Sequence, residues 1–96
     1  MAKNPKQKNN ISKKVYEKNA EMYKILANPK RLEIMYTIRD KEATVNELSK
    51  IIGARKSNTS QHLAYLRYTG LVKARREGKN IFYKLTDPKI LDSFKV

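Results

Sequence analysis

Between Thr44 and Leu85 the chain reads TVNELSKIIGARKSNTSQHLAYLRYTGLVKARREGKNIFYKL, and its three glycines all fall there. This punctuation divides the stretch into a helix, a tight turn, a second helix and a hairpin. Thr44 is followed three residues later by Glu47, the spacing of a capping box. Val45, Leu48, Ile51 and Ile52 recur at helical spacing and give the first helix one apolar face. Gly53 suits the left-handed conformation that closes a helix. The next helix begins a few residues on, which is the short connection of a helix-turn-helix.

The spacing predicts a second helix from about Lys56 to Thr69, stopped by Gly70. Wound at about 100° per residue, it places Leu63 and Leu66 beside Thr59 on an inward face, with His62 at the margin. Ser57, Gln61, Ala64, Tyr65 and Tyr68 fall on the far side, flanked by Asn58 and Ser60. A plain solvated helix would favour Glu and Lys there. Small polar side chains allow close approach to base edges, and Asn or Gln can pair with adenine. Ser57, Asn58, Ser60, Gln61 and Tyr65 are therefore candidates for reading bases. The plainer alternative is a polar surface helix.

Leu71 and Val72 then start a strand. Val72 and Ala74 alternate with Lys73 and Arg75, and Ile81, Tyr83 and Leu85 alternate with Phe82 and Lys84. Two such runs around a turn containing Gly78 and Asn80 predict a hairpin. Between Leu48 and Lys84 stand nine Lys or Arg and one acid, Glu77. A cationic hairpin beside a helix-turn-helix is a wing; Arg75, Arg76 and Lys79 on it, with Arg55 and Lys56 at the start of the second helix, are the candidate phosphate-binding residues. An ordinary hairpin kept soluble by edge cations would look similar.

These motifs resemble the ArsR/SmtB family of winged-helix repressors. The resemblance runs from about Ile25 to Leu85. It is carried by LANPKRLEIMYTI, by TVNELSKIIG, by the S-x-H-L-x-x-L-x-x-x-G-L-V run at Ser60–Val72 and by the R-R-E-G-K-x-x-x-Y-x-L wing at Arg75–Leu85. It implies a mainly α fold with a β-hairpin wing, in the order ααααβ-β-α. It also implies a homodimer that binds double-stranded operator DNA and changes affinity when an inducer binds.

Ninety-six residues allow one domain. The net charge of +13 favours nucleic acid or another anionic partner. There is no cysteine for a disulfide or thiolate metal site. No apolar run approaches a membrane span, and the N-terminus lacks the apolar segment of a secretory signal. A soluble, cytoplasmic protein is the expectation. Residues 1–10 have almost nothing to bury and are expected to form a disordered basic tail, leaving 11–96 as the DNA-binding and dimerisation domain. Lys3, Lys6 and Lys8 could lie along DNA, but the tail has no arginine to enter a narrow minor groove.

From Ser12 a helix is predicted, with Val15, Met22, Tyr23, Ile25 and Leu26 as its apolar stripe. Asn28 caps the next, with Pro29 at its first position. Leu32, Met35, Tyr36 and Ile38 line that helix, and both helices read as scaffold. At the other end Asp87 and Pro88 start a short helix bearing Ile90, Leu91 and Phe94. In the family the first and last helices pair across the dimer. The resemblance thus implies Val15, Met22, Tyr23, Ile90, Leu91 and Phe94 as interface, while burial within one subunit is the competing reading.

The pattern departs from the family where inducers are sensed. Val45–Ser49 stands where metal sensors carry Cys-x-Cys, and no histidine follows His62 to join Asp87 or Asp92. His62 alone reads as a packed histidine, so no metal or cofactor is expected and the inducer is unknown. Arg55 replaces a frequent capping serine, which leaves Ser57 as cap or Arg55 as a phosphate contact. No paired carboxylates or nucleophile–base set suggests an enzyme. The expected function is a sequence-specific, dimeric DNA-binding repressor. The alternatives are a sequence-tolerant, chromatin-like DNA-binding protein and a winged-helix module for protein or RNA.

Overall fold

Asn28 caps the second helix: its Oδ1 accepts the Arg31 backbone N–H at 3.1 Å, and Pro29 follows at the first helical position, where its missing N–H leaves nothing unpaired. The computed structural model describes residues 13–92. The predicted tail and Phe94 lie outside the described residues. The elements run α1 (Lys13–Leu26), α2 (Pro29–Thr37), α3 (Val45–Ile52), α4 (Lys56–Tyr68), β1 (Val72–Glu77), β2 (Asn80–Leu85) and a single 3-10 turn (Pro88–Leu91). Within the described residues the closing element is thus one tight turn. Asp87 caps it by accepting the Lys89 N–H at 3.0 Å.

The helix-turn-helix is built from local hydrogen bonds. Thr44 Oγ1 accepts the Glu47 N–H at 3.2 Å, and Glu47 Oε1 accepts the Thr44 N–H at 2.8 Å, so two orphan donors of α3 are satisfied reciprocally. Gly53, at φ 64°, ψ 41°, closes α3 in the left-handed region. Arg55 occupies the cap position of α4 with no side-chain hydrogen bond, so Ser57 does not take over as cap; it lies inside the helix. Thr59 is fully buried, and its hydroxyl donates to the Arg55 carbonyl at 2.9 Å. At the far end the Leu71 N–H reaches the Leu66 carbonyl at 3.0 Å and the Gly70 N–H reaches the Arg67 carbonyl at 2.9 Å. That pair of bonds is a Schellman motif, and it sets Leu66 and Leu71 together in the core.

One core joins every element. Ile25 and Leu26 come from the end of α1, Ile34 and Met35 from α2, Leu48 and Ile52 from α3, Leu63 and Leu66 from α4. Val72, Tyr83 and Leu85 come from the hairpin, and Leu91 from the closing turn. Leu91 is 1% exposed in the single chain. It completes its own subunit's core, which is the reading the sequence left open against an interface role.

β1 and β2 pair antiparallel, Val72 opposite Leu85 through Glu77 opposite Asn80. Asn80 is therefore the first residue of β2, not part of the turn. The hairpin is anchored by contacts that the sequence pattern does not announce. Ala43, in the connection before α3, is buried and forms a two-bond bridge with Tyr83 (3.1 and 2.8 Å). The Leu85 N–H also reaches the Ile38 carbonyl at 3.2 Å.

Gly70 sits at φ +85°, and a Cβ there would meet no atom within 4 Å. Gly70→Ala should thus destabilise through backbone strain alone, by about 1–2 kcal/mol. Urea unfolding should show a lower midpoint with an unchanged slope.

Candidate nucleic-acid interface

α4 buries only Thr59, Leu63 and Leu66. The opposite face is left to solvent. Ser57, Asn58, Ser60 and Gln61 are exposed, as are Arg55 and Lys56 where the helix begins. Four of the five candidate base readers therefore share an open surface. The fifth, Tyr65, is only half-exposed. The Arg31 guanidinium lies over its ring, 4.2 Å from the centroid. Tyr68, one turn further, has no such cover and is 89% exposed.

The wing presents Arg76 and Lys79 in the open near its tip. Gly78, at φ 65°, is the first of the two residues that link the strands, the glycine position of a II′ hairpin turn. Arg75 is placed differently. Its Nε and Nη2 donate to the two Glu42 carboxylate oxygens at 2.9 and 2.7 Å, and its Nη1 reaches Glu77 at 3.2 Å. Its guanidinium also lies 4.9 Å from the Phe82 ring centroid. A bidentate carboxylate pair is the strongest geometry available to arginine. Arg75 braces the wing against the connection before α3, and its fork is already filled. The hydrogen bond from Arg75, together with nearby Lys84 and Lys73, holds the Glu42 carboxyl below its usual range. Glu42 and then Glu77 in turn raise the arginine's pKa. Sequence reasoning missed this brace, because its partners stand 33 residues apart.

His62 is half-buried on α4. Burial first, then the charges of Arg31 and Lys30, pushes its pKa below the ordinary imidazole value. Among the described residues no three His, Cys, Asp or Glu are grouped to hold a metal ion. Also among them, no helix is long and apolar enough to cross a membrane.

The dimer candidates divide. Val15 and Tyr23 are 43% and 64% exposed on α1, and Tyr16 beside them is 54% exposed. Met22 and Ile90 are half-buried. Leu32 and Tyr36 of α2 line an apolar depression of about 320 Å³ with Pro29 and Glu33. Leu91 belongs to the core described above.

Comparison with known proteins gives consistent results. Residues 28–74 match the model of the family described as bacterial regulatory protein, arsR family. The HTH-type transcriptional regulator Rv0081 of Mycobacterium tuberculosis is 38% identical over 82 residues, spanning 84% of this chain and 72% of that protein. Its crystal structure superposes with a TM-score of 0.77 at 36% identity, over 85% of this chain and 83% of that one. The regulator KmtR of the same organism is 39% identical over 70 residues, 73% of this chain; the chain spans about half (54%) of KmtR's length. The solution structure of Mb0332 from Mycobacterium bovis, a homodimeric winged helix-turn-helix DNA-binding domain, matches with a TM-score of 0.74 and 29% identity, over 98% of this chain and 83% of that one.

The Glu42–Arg75 brace has a pH signature. A carboxyl whose folded pKa is lowered adds stability that is whole above its unfolded value, here 4.5, and is lost as pH falls through the lower folded value. Glu42→Gln should therefore unfold at lower urea than wild type at neutral pH, and the two midpoints should converge in strong acid.

Proposed function

The chain belongs to the arsR family of bacterial regulatory proteins, and from that premise we propose that it is a transcriptional repressor binding specific double-stranded DNA as a homodimer. The observation that carries the proposal is the exposed face of α4. Ser57, Asn58, Ser60 and Gln61 stand open on a helix whose opposite side is locked into the core. Such a helix can enter the major groove, where each base pair has its own pattern of donors and acceptors. Tyr65 would extend the reading surface towards the helix's C-terminal half.

Arg55 and Lys56 at the start of α4, and Arg76 and Lys79 on the wing, would hold phosphates on either side of the groove. Such contacts set register and affinity without carrying sequence information. Arg75 has the separate task of bracing the wing that carries them. Two subunits would meet through the apolar residues of α1 and the closing turn: Val15, Met22, Tyr23 and Ile90, with Phe94 as the family resemblance adds it. A two-fold dimer of this kind reads half-sites about one helical turn apart or a multiple of it.

A fluorescence-anisotropy titration tests the proposal by comparing the chain's own promoter with a scrambled duplex of equal length, at several salt concentrations. A preference of ~10³ or more for the promoter is expected. Equal affinities that both fall steeply with salt would instead mean charge-driven, sequence-tolerant binding, to which the +13 net charge is suited. Within the specific reading, Gln61→Ala should lose about 1–3 kcal/mol on the preferred site and relax preference at one position. An equal loss on every duplex would contradict base reading by Gln61. Arg76→Ala should weaken all duplexes alike and flatten the salt slope by about one unit per half-site. An unchanged slope would remove Arg76 from the contact set.

A further inference from the structure

We infer that Arg31, on the scaffold helix α2, is a positioning residue that sets base preference through Tyr65. The inference rests on the reading of α4 as the base-reading helix. Tyr65 is the one candidate reader whose side chain is held by another element. The guanidinium of Arg31 lies 4.2 Å from its ring centroid, close enough for a cation–π contact. The buried Arg31 Nε makes no hydrogen bond within the described residues, so nothing at that nitrogen competes with the contact to the ring. The phenol oxygen of a tyrosine lies on the axis of its second torsion, so the first torsion sets its position, and a cation over the ring face favours the rotamer that keeps the ring beneath it. The Arg31 contact thus biases where the phenol oxygen sits.

The root of Arg31 is itself fixed. Its backbone N–H is bonded to the Asn28 cap at 3.1 Å. The neighbouring Lys30 ammonium donates to the carbonyl of Ile52, the last residue of α3. That cation sits where the helix dipole is negative. Two consecutive residues in the first turn of α2 thus hold both helices of the helix-turn-helix, Lys30 at the end of α3 and Arg31 at the side of α4. The charges of both also reach His62, one turn before Tyr65. The same first turn leads into the apolar depression lined by Pro29, Leu32 and Tyr36. α2 is accordingly more than scaffold, because it orients one member of the reading face.

The test is selection from a randomised duplex library with the full chain and four variants: Arg31→Ala, Arg31→Lys, Tyr65→Ala and the double alanine variant. Thermal unfolding identifies the folded ones. Arg31→Ala and Tyr65→Ala should each lose roughly fivefold or more of the discrimination at the same position of each half-site. The double variant should lose no more than Tyr65→Ala alone. Arg31→Lys keeps the charge without the plane and should lose discrimination at that same position. It carries the test if Arg31→Ala does not fold. A residue that only stabilises the fold would lower the active fraction and leave the preference profile unchanged. A uniform loss on all sequences, or a shift at a position Tyr65→Ala does not affect, would overturn the role. A flat profile for the wild type would instead remove base reading by α4, and this inference with it. A selective wild type with an unaltered Arg31→Ala profile would remove the inference alone.

Discussion

Three side chains, Thr59, Leu63 and Leu66, supply all the fully buried surface of the 13-residue helix α4. If α4 reads bases as proposed, it cannot bury more, because the opposite face must stay polar and open. Each fully buried leucine stabilises by about 1.5–3 kcal/mol, which is a small anchor for a helix of 13 residues. The rest of the hold comes from the ends and one flank. The Thr59 hydroxyl satisfies a carbonyl of the first turn, the Schellman motif at Gly70 ties off the last, and Arg31 covers Tyr65. The first two restrain α4 without occupying its outward face, and the third touches that face only at half-exposed Tyr65.

The wing meets the same constraint in another form. A two-stranded hairpin has little stability of its own, and this one carries Lys73, Arg75, Arg76, Lys79 and Lys84. It is fixed on its inner side by Tyr83 and Leu85 in the core and by the Ala43 bridge. On its outer side Arg75 spans Glu42, Glu77 and Phe82. One cation of the basic cluster is thus spent on structure, and the tip is where charge remains free for a ligand. The exposed pairs are screened by solvent, so the brace serves geometry more than net stability.

α1 illustrates how a subunit can be left incomplete. Only Ile25 and Leu26, at its end, are buried, while Val15, Tyr16 and Tyr23 stay exposed. Exposed apolar groups on one helix are what a dimer would cover, in keeping with the proposed assembly. The closing turn contributes Leu91 inward and leaves Ile90 half-covered.

The sequence by itself determined most of what depends on neighbours within a turn. The Asn28–Pro29 start, the Thr44–Glu47 box, the Gly53 and Gly70 stops, the Asp87 cap and the hairpin alternation were legible, because caps and periodicity are short-range effects. The polar outer face of α4 was legible too, since helical spacing sorts residues by side. Tertiary structure alone decided which of those residues are free to act. Arg75 looked like any wing cation until Glu42 was brought beside it. Tyr65 looked like its neighbours until Arg31 was laid across its ring. Leu91 could have faced a partner or its own core. Each outcome depends on a residue distant in sequence, and no local pattern encodes which distant side chain arrives. Packing settles it, because one core must be filled by all the elements at once.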